Sequence, residues 1–352
     1  MTLQETIKAI RPADRAAYEA AKKRWDSIAK PLGSLGLMEE AVCRMAGMRR
    51  TPRVEIKKRA VVVMCADNGV VAEGVTQSGQ EVTAIVTENM SSGDTSVCCM
   101  ARSAGADVIP VDIGCAMPVK GEHIRQCCIR RGTADMAQGP AMSREEATRA
   151  VEVGINLVCE LAEQGYTLLA TGEMGIGNTT TSSAITAVLL GREPAEVTGR
   201  GAGLTSEGLR RKVAAIEKAI AVNRPDKNDA LDVLAKVGGL DIAGLAGVFL
   251  GGALCGVPVL ADGFISCVSA IVAERLCPAA ADYVLASHAS KEPAGRLVTE
   301  AMGARPFLYA DMCLGEGTGA VAVMPLLDMA LAVYDGMSTF EDISIEAYEH
   351  LE

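Results

Sequence analysis

The chain has 352 residues, of which 49% are hydrophobic, 22% are charged and only 3% are aromatic. A chain of this length can bury a large core, and this balance of apolar and charged residues is typical of a globular protein. The formal net charge of −10 argues against a nucleic-acid surface and against binding to an anionic membrane. The amino terminus lacks the basic and apolar regions of a signal peptide, so we expect a cytoplasmic protein.

Residues 3–50 have a mainly helical pattern, and beyond them short apolar runs alternate with helical patterns. Such near-continuous hydrophobicity is typical of strands that are covered on both faces of a sheet. The predicted strands are residues 60–65, 107–111, 167–170, 258–260, 283–286 and 307–310. The predicted helices are residues 81–104, 144–163, 180–189, 207–222, 229–237, 242–254, 264–275 and 291–302. The alternation predicts an α/β fold with a six-stranded, parallel, doubly wound sheet.

Residues 321–352 again look largely helical, like the amino-terminal stretch. We expect both chain ends to pack together as a small helical subdomain of residues 1–49 and 326–352. The large α/β domain would then span residues 50–325. The stretch 115–140 has no clear period and is predicted to be a long excursion over the surface.

Residues 242–260 are apolar over a length that raises the question of a membrane span. Because five glycines and Pro258 interrupt the stretch, we predict a buried helix followed by a buried strand instead. The twelve cysteines include no C-x-x-C spacing and are interpreted as reduced core residues. The adjacent pairs Cys98-Cys99 and Cys127-Cys128 leave a redox or metal role open, but with three histidines we predict no metal site and no cofactor.

The most informative stretch is 311–320, in which Glu316 stands between glycines. An apolar segment precedes it and a long apolar helical pattern follows it. In parallel α/β folds, turns at the carboxyl ends of strands form the ligand crevice. A single carboxylate in such a turn is a candidate proton acceptor.

A second candidate is the glycine-rich stretch 172–181, which follows a predicted strand and opens a predicted helix. Glycines allow close approach of the backbone to a ligand, and the exposed amides of a helix start favour an anion. A turn of purely structural use is the alternative, but such a turn does not require the acid Glu173. The stretch is not a P-loop, because no Gly-Lys-Ser/Thr follows the glycines.

A third candidate is Gly199-Arg200-Gly201-Ala202-Gly203, followed by a helix that carries Arg210, Arg211 and Lys212. Glycines with nearby cations suit a phosphate. The pattern alone is weak evidence, because basic side chains on such a helix are usually only solvated.

Other polar residues are predicted at the same edge of the sheet. Asp67 and Asn68 follow the first strand, where Asn-Gly is also an ordinary turn signal. His288 follows the fifth strand and is either a catalytic base or a structural histidine. Neither a Gly-x-Ser-x-Gly elbow nor a Gly-x-Gly-x-x-Gly fingerprint is present, which disfavours a serine hydrolase and a hydride-transfer enzyme.

Several strings in this chain together resemble the nicotinate-nucleotide–dimethylbenzimidazole phosphoribosyltransferases of cobalamin assembly. The resemblance runs from Lys30 to the helix after Glu316. The strings are KPLGSLG at 30–36, ADNGV at 66–70, QEVT at 80–83, VDIG at 111–114, GEMGIGNTT at 172–180, GRGAGL at 199–204 and LGEGTG at 314–319.

This resemblance implies a Rossmann-like sheet, a homodimer and a reaction that needs no metal. The family reaction moves phosphoribosyl from nicotinate mononucleotide to an aromatic lower-ligand base, usually 5,6-dimethylbenzimidazole. The products are the α-ribotide (α-ribazole 5′-phosphate for that base) and nicotinate. A relative that binds the nucleotide or base without turnover is the alternative, and the intact Glu316 argues against it.

The resemblance also implies roles for matching positions. Glu316 would be the general base, because the attacking ring must lose a proton as the new bond forms. Glu173 would hold the ribose or orient the nucleotide. The phosphate and ribose cradle would be formed by Gly175, Gly177, Asn178, Thr179, Gly201, Gly203, Lys212 and Ser290. The base pocket would be lined by Gln80, Met174 and Leu314.

Two departures from the family affect the expected base. Many relatives carry histidine where this chain has Asn68, and proline where it has Gly79. Both positions are expected near the base pocket. Adenine, other benzimidazoles and phenolic rings therefore stay open as the accepted base.

Overall fold

The structure is a computed structural model that describes residues 1–350, and it contains a six-stranded sheet. Its strands are β1 (Arg59–Ala66), β2 (Asp107–Gly114), β3 (Arg125–Gln126), β4 (Leu168–Met174), β5 (Val259–Ala261) and β6 (Val284–Ala286). All neighbouring strands are parallel, in the order β3-β2-β1-β4-β5-β6. The predicted α/β class and the parallel sheet are therefore confirmed.

Helices cover both faces of this sheet. They are α1 (Leu3–Ala9), α2 (Arg15–Ser27), α3 (Leu37–Arg49), α4 (Glu81–Ser92), α5 (Ser96–Ala104), α6 (Arg144–Glu163), α7 (Asn178–Leu190), α8 (Pro194–Val197), α9 (Ser206–Asn223), α10 (Ala230–Val237), α11 (Leu240–Cys255), α12 (Phe264–Leu276), α13 (Gly295–Ala301) and α14 (Thr318–Gly336).

The central strands β1 and β4 are buried almost throughout, which explains the apolar run that fills most of β1 and begins β4. They pair in register, with Met64 beside Glu173. The chain winds outward from β1 in one direction and from β4 in the other. The point where the strand order reverses therefore lies between these two strands, and ligands of doubly wound sheets bind near such a point.

The sixth strand is not the predicted one. Residues 307–310 form only an isolated bridge, between Leu308 and His288. The sixth strand is instead β3, which pairs with Val111 and Asp112 at the sheet edge. It lies in the stretch that was predicted to be a surface excursion. An edge strand of two polar residues, one half-exposed and one exposed, carries no hydrophobic signal.

Two predicted helices also differ from the observed ones. The predicted helix 81–104 is two helices, because α4 ends at Gly93 in the left-handed conformation, with φ of 84°. The predicted helix 291–302 is reduced to α13. Pro293 disfavours helical geometry in the residue before it.

Two strongly apolar helices lie in the core. Helix α11 has fourteen buried residues among its sixteen and is followed by β5, as predicted for 242–260. Helix α14 is long and apolar enough to cross a membrane by length and composition alone, but ten of its residues are buried in the protein. The twelve cysteines are free thiols, and six of them are buried.

Helices from the two chain ends contact each other. The rings of Trp25 and Tyr334 lie 5.0 Å apart, and Ile28 bridges Thr339. Lys30, in the first of the family-like strings, forms a buried 2.6 Å ion pair with Glu39. That string therefore organises α3 and its entry loop. The division into domains at residues 49 and 326 stays a prediction.

Candidate active site

A cavity of about 260 Å³ opens at the carboxyl ends of β4, β5 and β6. Its walls come from the segments that follow these three strands, together with the loop before α9 and the turn before α14. Parallel strands direct their following turns to one edge of the sheet, so distant parts of the sequence meet there.

Glu316 lies on the wall of this cavity, in the turn that leads into α14. Three consecutive residues of the turn have positive φ: Gly315 at 97°, Glu316 at 60° and Gly317 at 94°. Glycine adopts this region freely, whereas a residue with a side chain rarely does. The carboxylate accepts a hydrogen bond from the backbone amide of Val97 over 3.0 Å, at the start of α5. Glu316 is thus anchored and half-buried at the cavity.

A second carboxylate, Asp262, follows β5 directly and lies behind this turn. It accepts hydrogen bonds from the amides of Gly317, Gly319 and Ala320 at 3.2, 2.8 and 3.1 Å. His288 Nδ1 lies 3.8 Å from the same carboxylate and 3.1 Å from Ser287 Oγ. Burial raises the pKa of Asp262, and the neighbouring His288 opposes the rise.

The end of β4, the glycine-rich turn after it and the start of α11 bring two acids and an amide together. The side-chain amide of Asn178 donates to Glu173 and, over 3.0 Å, to Asp241 at the start of α11. Burial raises the pKa of Glu173 to about 8, while Asn178 opposes this and Asp241 adds to it. Burial likewise raises the pKa of Asp241 to about 6. Near neutral pH, Glu173 is therefore mainly protonated and can donate a hydrogen bond into the cavity that it lines.

Close backbone approach fixes this stretch in place. A Cβ on Gly175 would lie 2.3 Å from the carbonyl oxygen of Ala66, at the end of β1. The amide of Ile176 donates to Thr83 Oγ1 over 3.1 Å, and Thr83 in turn donates to Asp67 over 2.6 Å. The end of β1 therefore supports the loop through side chains that do not line the cavity.

A buried cation also lines the cavity. Lys212 is 1% exposed, and its ammonium donates to Thr179 Oγ1 over 2.7 Å. A Cβ on Gly201 would lie 3.4 Å from that ammonium, so the glycine-rich loop passes directly over it. Burial lowers the pKa of Lys212 to about 8, and Glu292 opposes the shift. A cation beside backbone amides and a hydroxyl is suited to a phosphate.

The start of α12 also faces the cavity, through Phe264, Ile265 and Ser266. No side chain caps this helix start, and the buried Ser266 hydroxyl has no hydrogen-bond partner among the described residues. No motif or composition in the sequence marks these residues. Only their position could have identified them: they closely follow β5, whose carboxyl end lies beside that of β4.

All but two of the predicted site residues line the cavity. Those that do are Glu316, Glu173, Met174, Gly175, Gly177, Asn178, Thr179, Gly201, Lys212, Ser290 and Leu314. Gly203 lies beside the cavity, between the lining residues Ala202 and Leu204. Gln80 is half-buried at the start of α4 and donates to the carbonyl of Asn68 over 3.4 Å.

The two positions that depart from the family, Asn68 and Gly79, also lie outside the cavity lining. Asn68 is fully buried and accepts a hydrogen bond from Thr181 Oγ1 over 3.3 Å. Asp67 is fully buried too and accepts from the amide of Ala116 over 2.7 Å. His288, in contrast, lines the cavity. The other residues missed by sequence analysis are Asp262, Asp241 and Glu292.

Comparisons with known proteins agree with this geometry. A family model described as "Phosphoribosyltransferase" matches residues 10–345. This match makes the chain a member of a phosphoribosyltransferase family.

Individual relatives narrow the family. A protein of Acetivibrio thermocellus named nicotinate-nucleotide–dimethylbenzimidazole phosphoribosyltransferase is 46% identical over 347 residues, which cover 99% of each chain. A protein of Escherichia coli with the same name is 43% identical over 342 residues, covering 96% of this chain and 94% of its own. The crystal structure of CobT from Thermus thermophilus has a TM-score of 0.90 and 40% identity, and covers 95% of this chain and 100% of that one. The chain therefore belongs to the nicotinate-nucleotide–dimethylbenzimidazole phosphoribosyltransferases.

Proposed function

We propose that this protein is an enzyme that transfers phosphoribosyl from nicotinate mononucleotide to an aromatic lower-ligand base. The base is 5,6-dimethylbenzimidazole or a related ring, and the products are its α-ribotide and nicotinate. The reaction belongs to nucleotide-loop assembly in cobalamin synthesis. The observation that carries the proposal is Glu316, a single acid held at the cavity into which the glycine-rich stretch also opens.

In this reaction, Glu316 acts as the general base. A ring nitrogen of the base attacks C1′ of the ribose, and the bond from C1′ to the nicotinate nitrogen breaks. Its electron pair returns to the nicotinate ring, which thereby loses its positive charge. The proton of the incoming ring goes to Glu316, and such assistance is typically worth about 10²–10⁴-fold in rate. Attack from the face opposite the leaving group converts the β-nucleotide into an α-product.

The residues around Lys212 hold the phosphate of nicotinate mononucleotide. Lys212 supplies the charge, and Thr179 and Ser290 supply hydroxyl groups. The backbone amides around Gly175, Gly177, Asn178 and Gly201 complete this cradle, with Gly203 shaping the loop beside it. Fixing the phosphate holds the ribose between two flat rings, and positioning of this kind supplies much of the rate enhancement.

Glu173 orients the ribose. Since its raised pKa of about 8 keeps it protonated near neutral pH, it donates a hydrogen bond to a ribose hydroxyl instead of repelling the phosphate. The apolar side chains of Met174 and Leu314 line the same cavity and contact the base. Gln80 belongs to the region behind this pocket, where its amide supports the carbonyl of Asn68.

The protein acts as a homodimer in the cytoplasm. The support is the family resemblance, together with exposed apolar side chains on the loop that carries Glu316, where Tyr309 is 80% and Leu314 is 59% exposed. Exposed apolar residues grouped near a site are suited to an interface. Light scattering during size-exclusion chromatography measures the assembly directly.

One assay tests the reaction. The pure protein is incubated with nicotinate mononucleotide and a panel of bases: benzimidazoles, adenine and phenols. Ribotides are then identified by mass and by anomeric form. Failure with every base removes the proposal, and a β-anomer contradicts the inverting geometry.

A non-catalytic relative that only binds nucleotide or base is the second candidate. Glu316→Gln separates the two, because glutamine keeps the shape of the side chain but cannot take the proton. We expect product formation to fall about 10²–10⁴-fold, to a residual rate that can still be measured, with retained binding of nicotinate mononucleotide. Equal turnover by the variant and the parent would exclude Glu316 as the base.

A further inference from the structure

The turn that carries Glu316 places a residue with a side chain in the left-handed backbone region, which only glycine adopts freely. Gly315, Glu316 and Gly317 all have positive φ, and the middle one bears a side chain. Residues in such sparsely populated conformations persist only where the surrounding structure holds them, and they occur most often at functional sites. The contacts around this turn therefore determine where the carboxylate of Glu316 lies.

Asp262 supplies the largest group of those contacts. One of its oxygens accepts from the amides of Gly319 at 2.8 Å and Ala320 at 3.1 Å, and the other accepts from Gly317 at 3.2 Å. These amides belong to the start of α14, where the N-cap residue offers no side-chain hydrogen bond. A carboxylate from the neighbouring β5 segment thus takes over the capping role.

Rigid backbone supports Asp262 and the turn from below. The amide of Asp262 lies 3.4 Å from Thr171 Oγ1 on β4. On the next residue of that strand, a Cβ on Gly172 would lie 2.3 Å from the carbonyl oxygen of Glu316. Asp262 is itself only 3% exposed, so its carboxylate has little freedom to move. The turn is thus clamped between β4 and the end of β5.

We infer that Asp262 is a positioning residue for the transfer reaction and acts through Glu316. Its three accepted hydrogen bonds hold the left-handed turn, and the turn aims the carboxylate at the incoming ring. The inference rests on the proposed role of Glu316 as the base. Since a small misplacement of a reacting group can cost up to about 10²-fold in rate, loss of this clamp lowers kcat.

Asp262 also lines the cavity, so a direct contact with substrate is the competing explanation. A double-mutant cycle with Glu316→Gln distinguishes the two, because a residue that acts only through the base has nothing left to position once the base is gone. Asp262→Ala removes all three hydrogen bonds. Asp262→Asn keeps one carbonyl oxygen for Gly319 and Ala320 and is the milder variant.

For Asp262→Ala we expect kcat to fall about 10–100-fold, with KM for nicotinate mononucleotide changed less than about threefold. Asp262→Asn should lie between this variant and the parent. In the Glu316→Gln background, Asp262→Ala should cause no further loss of kcat. Thermal unfolding and the retained KM show that each variant is folded.

Asp241→Asn is the matched control. Asp241 is an equally buried acid at the same edge of the sheet, but it contacts Asn178 and not the turn. We expect Asp241→Asn to lower kcat by the same factor in the parent and in the Glu316→Gln background.

Two outcomes overturn the inference: full activity of Asp262→Ala, or an equal loss of kcat from that variant in both backgrounds. Full activity of Glu316→Gln would instead exclude Glu316 as the general base, and the positioning role of Asp262 would then be excluded too. The two failures are thus told apart by the single Glu316 variant.

Discussion

Lys212 donates a hydrogen bond to Thr179 Oγ1 over 2.7 Å, which ties the middle of α9 to the first turn of α7 at the cavity. The ammonium is almost completely buried, yet no carboxylate lies within ion-pair distance of it among residues 1–350. A buried cation without a bonded anion is costly, and proteins retain such groups where a ligand supplies the charge. We propose that the phosphate of nicotinate mononucleotide supplies that charge.

Lys212→Met should therefore weaken the binding of nicotinate mononucleotide. Methionine keeps the apolar stem but removes the charge and the hydrogen bond to Thr179. We expect KM to rise about 10–100-fold, as befits the loss of a charge-assisted contact. Steady-state kinetics measure this. Lys218→Met is the control, because Lys218 lies on the same helix, partly exposed, and pairs with Glu73 at 3.1 Å. An unchanged KM in Lys212→Met would contradict the phosphate role.

The pH profile supplies a second prediction for Lys212. Because burial lowers its pKa to about 8, Lys212 is charged below that pH and neutral above it. Affinity for a phosphate should thus be lost as the pH rises, and kcat/KM, which reports the free enzyme, should fall above about pH 8. Loss of the proton from Glu173, whose pKa is also about 8, should add to this fall in the parent. In Lys212→Arg the guanidinium stays charged, so kcat/KM should fall through one ionisation, that of Glu173, instead of two. An alkaline fall of unchanged steepness in this variant would exclude Lys212 as a source of it.

A third prediction concerns stability. The pKa of Glu173 is raised from 4.5 in the unfolded chain to about 8 in the folded protein. Between these values the folded protein keeps a proton that the unfolded chain has lost, so this group makes stability fall as the pH rises and then level off above about 8. Glu173→Gln keeps an acceptor for Asn178 and does not titrate.

We therefore expect Glu173→Gln to gain stability relative to the parent as the pH rises. The free energy of unfolding of the variant minus that of the parent should increase by on the order of 3–5 kcal/mol between about pH 4.5 and about pH 9. Denaturant unfolding at both pH values measures the difference. Glu217→Gln on the exposed side of α9 is the control and should leave the pH dependence of the parent unchanged. If the free energies of unfolding of Glu173→Gln and the parent changed with pH in parallel, Glu173 would not be a protonated, buried acid in the folded protein.

The sheet was largely predictable from sequence, since its central strands are buried on both faces and read as continuous apolar runs. The prediction failed at the edges. Residues 307–310 are apolar but pair through a single bridge, because the amides of Phe307 and Leu308 both donate to the carbonyl of Ser287. The true edge strand β3 is polar and only two residues long, so no periodicity marks it.

The site was partly predictable for a different reason. Glycine-rich turns after apolar runs mark the carboxyl edge of a parallel sheet, and that rule selects Glu173 at the end of β4. It also selects Glu316, although the apolar run before that turn forms only an isolated bridge. This rule does not distinguish Lys212 from the neighbouring cations Arg210 and Arg211. Arg211 is half-exposed and pairs with Glu207, whereas Lys212 is buried, and only the rotation of α9 decides between them. Asp262 was missed because its partners are backbone amides, which leave no pattern in side chains.

A final prediction comes from the contact between Gly172 and the turn of Glu316. A Cβ on Gly172 would lie 2.3 Å from the carbonyl oxygen and 2.6 Å from the carbonyl carbon of Glu316. Both atoms are backbone, so they cannot rotate away as a flexible side chain would. Gly172→Ala must therefore displace the turn, and we expect kcat to fall about 10–100-fold with a smaller effect on KM. Gly139→Ala is the control, because a Cβ there meets no heavy atom within 4 Å. A folded Gly172→Ala variant, as judged by thermal unfolding, with the kcat of the parent would contradict this prediction. The position of the Glu316 carboxylate would then not depend on the close packing of β4 against the turn.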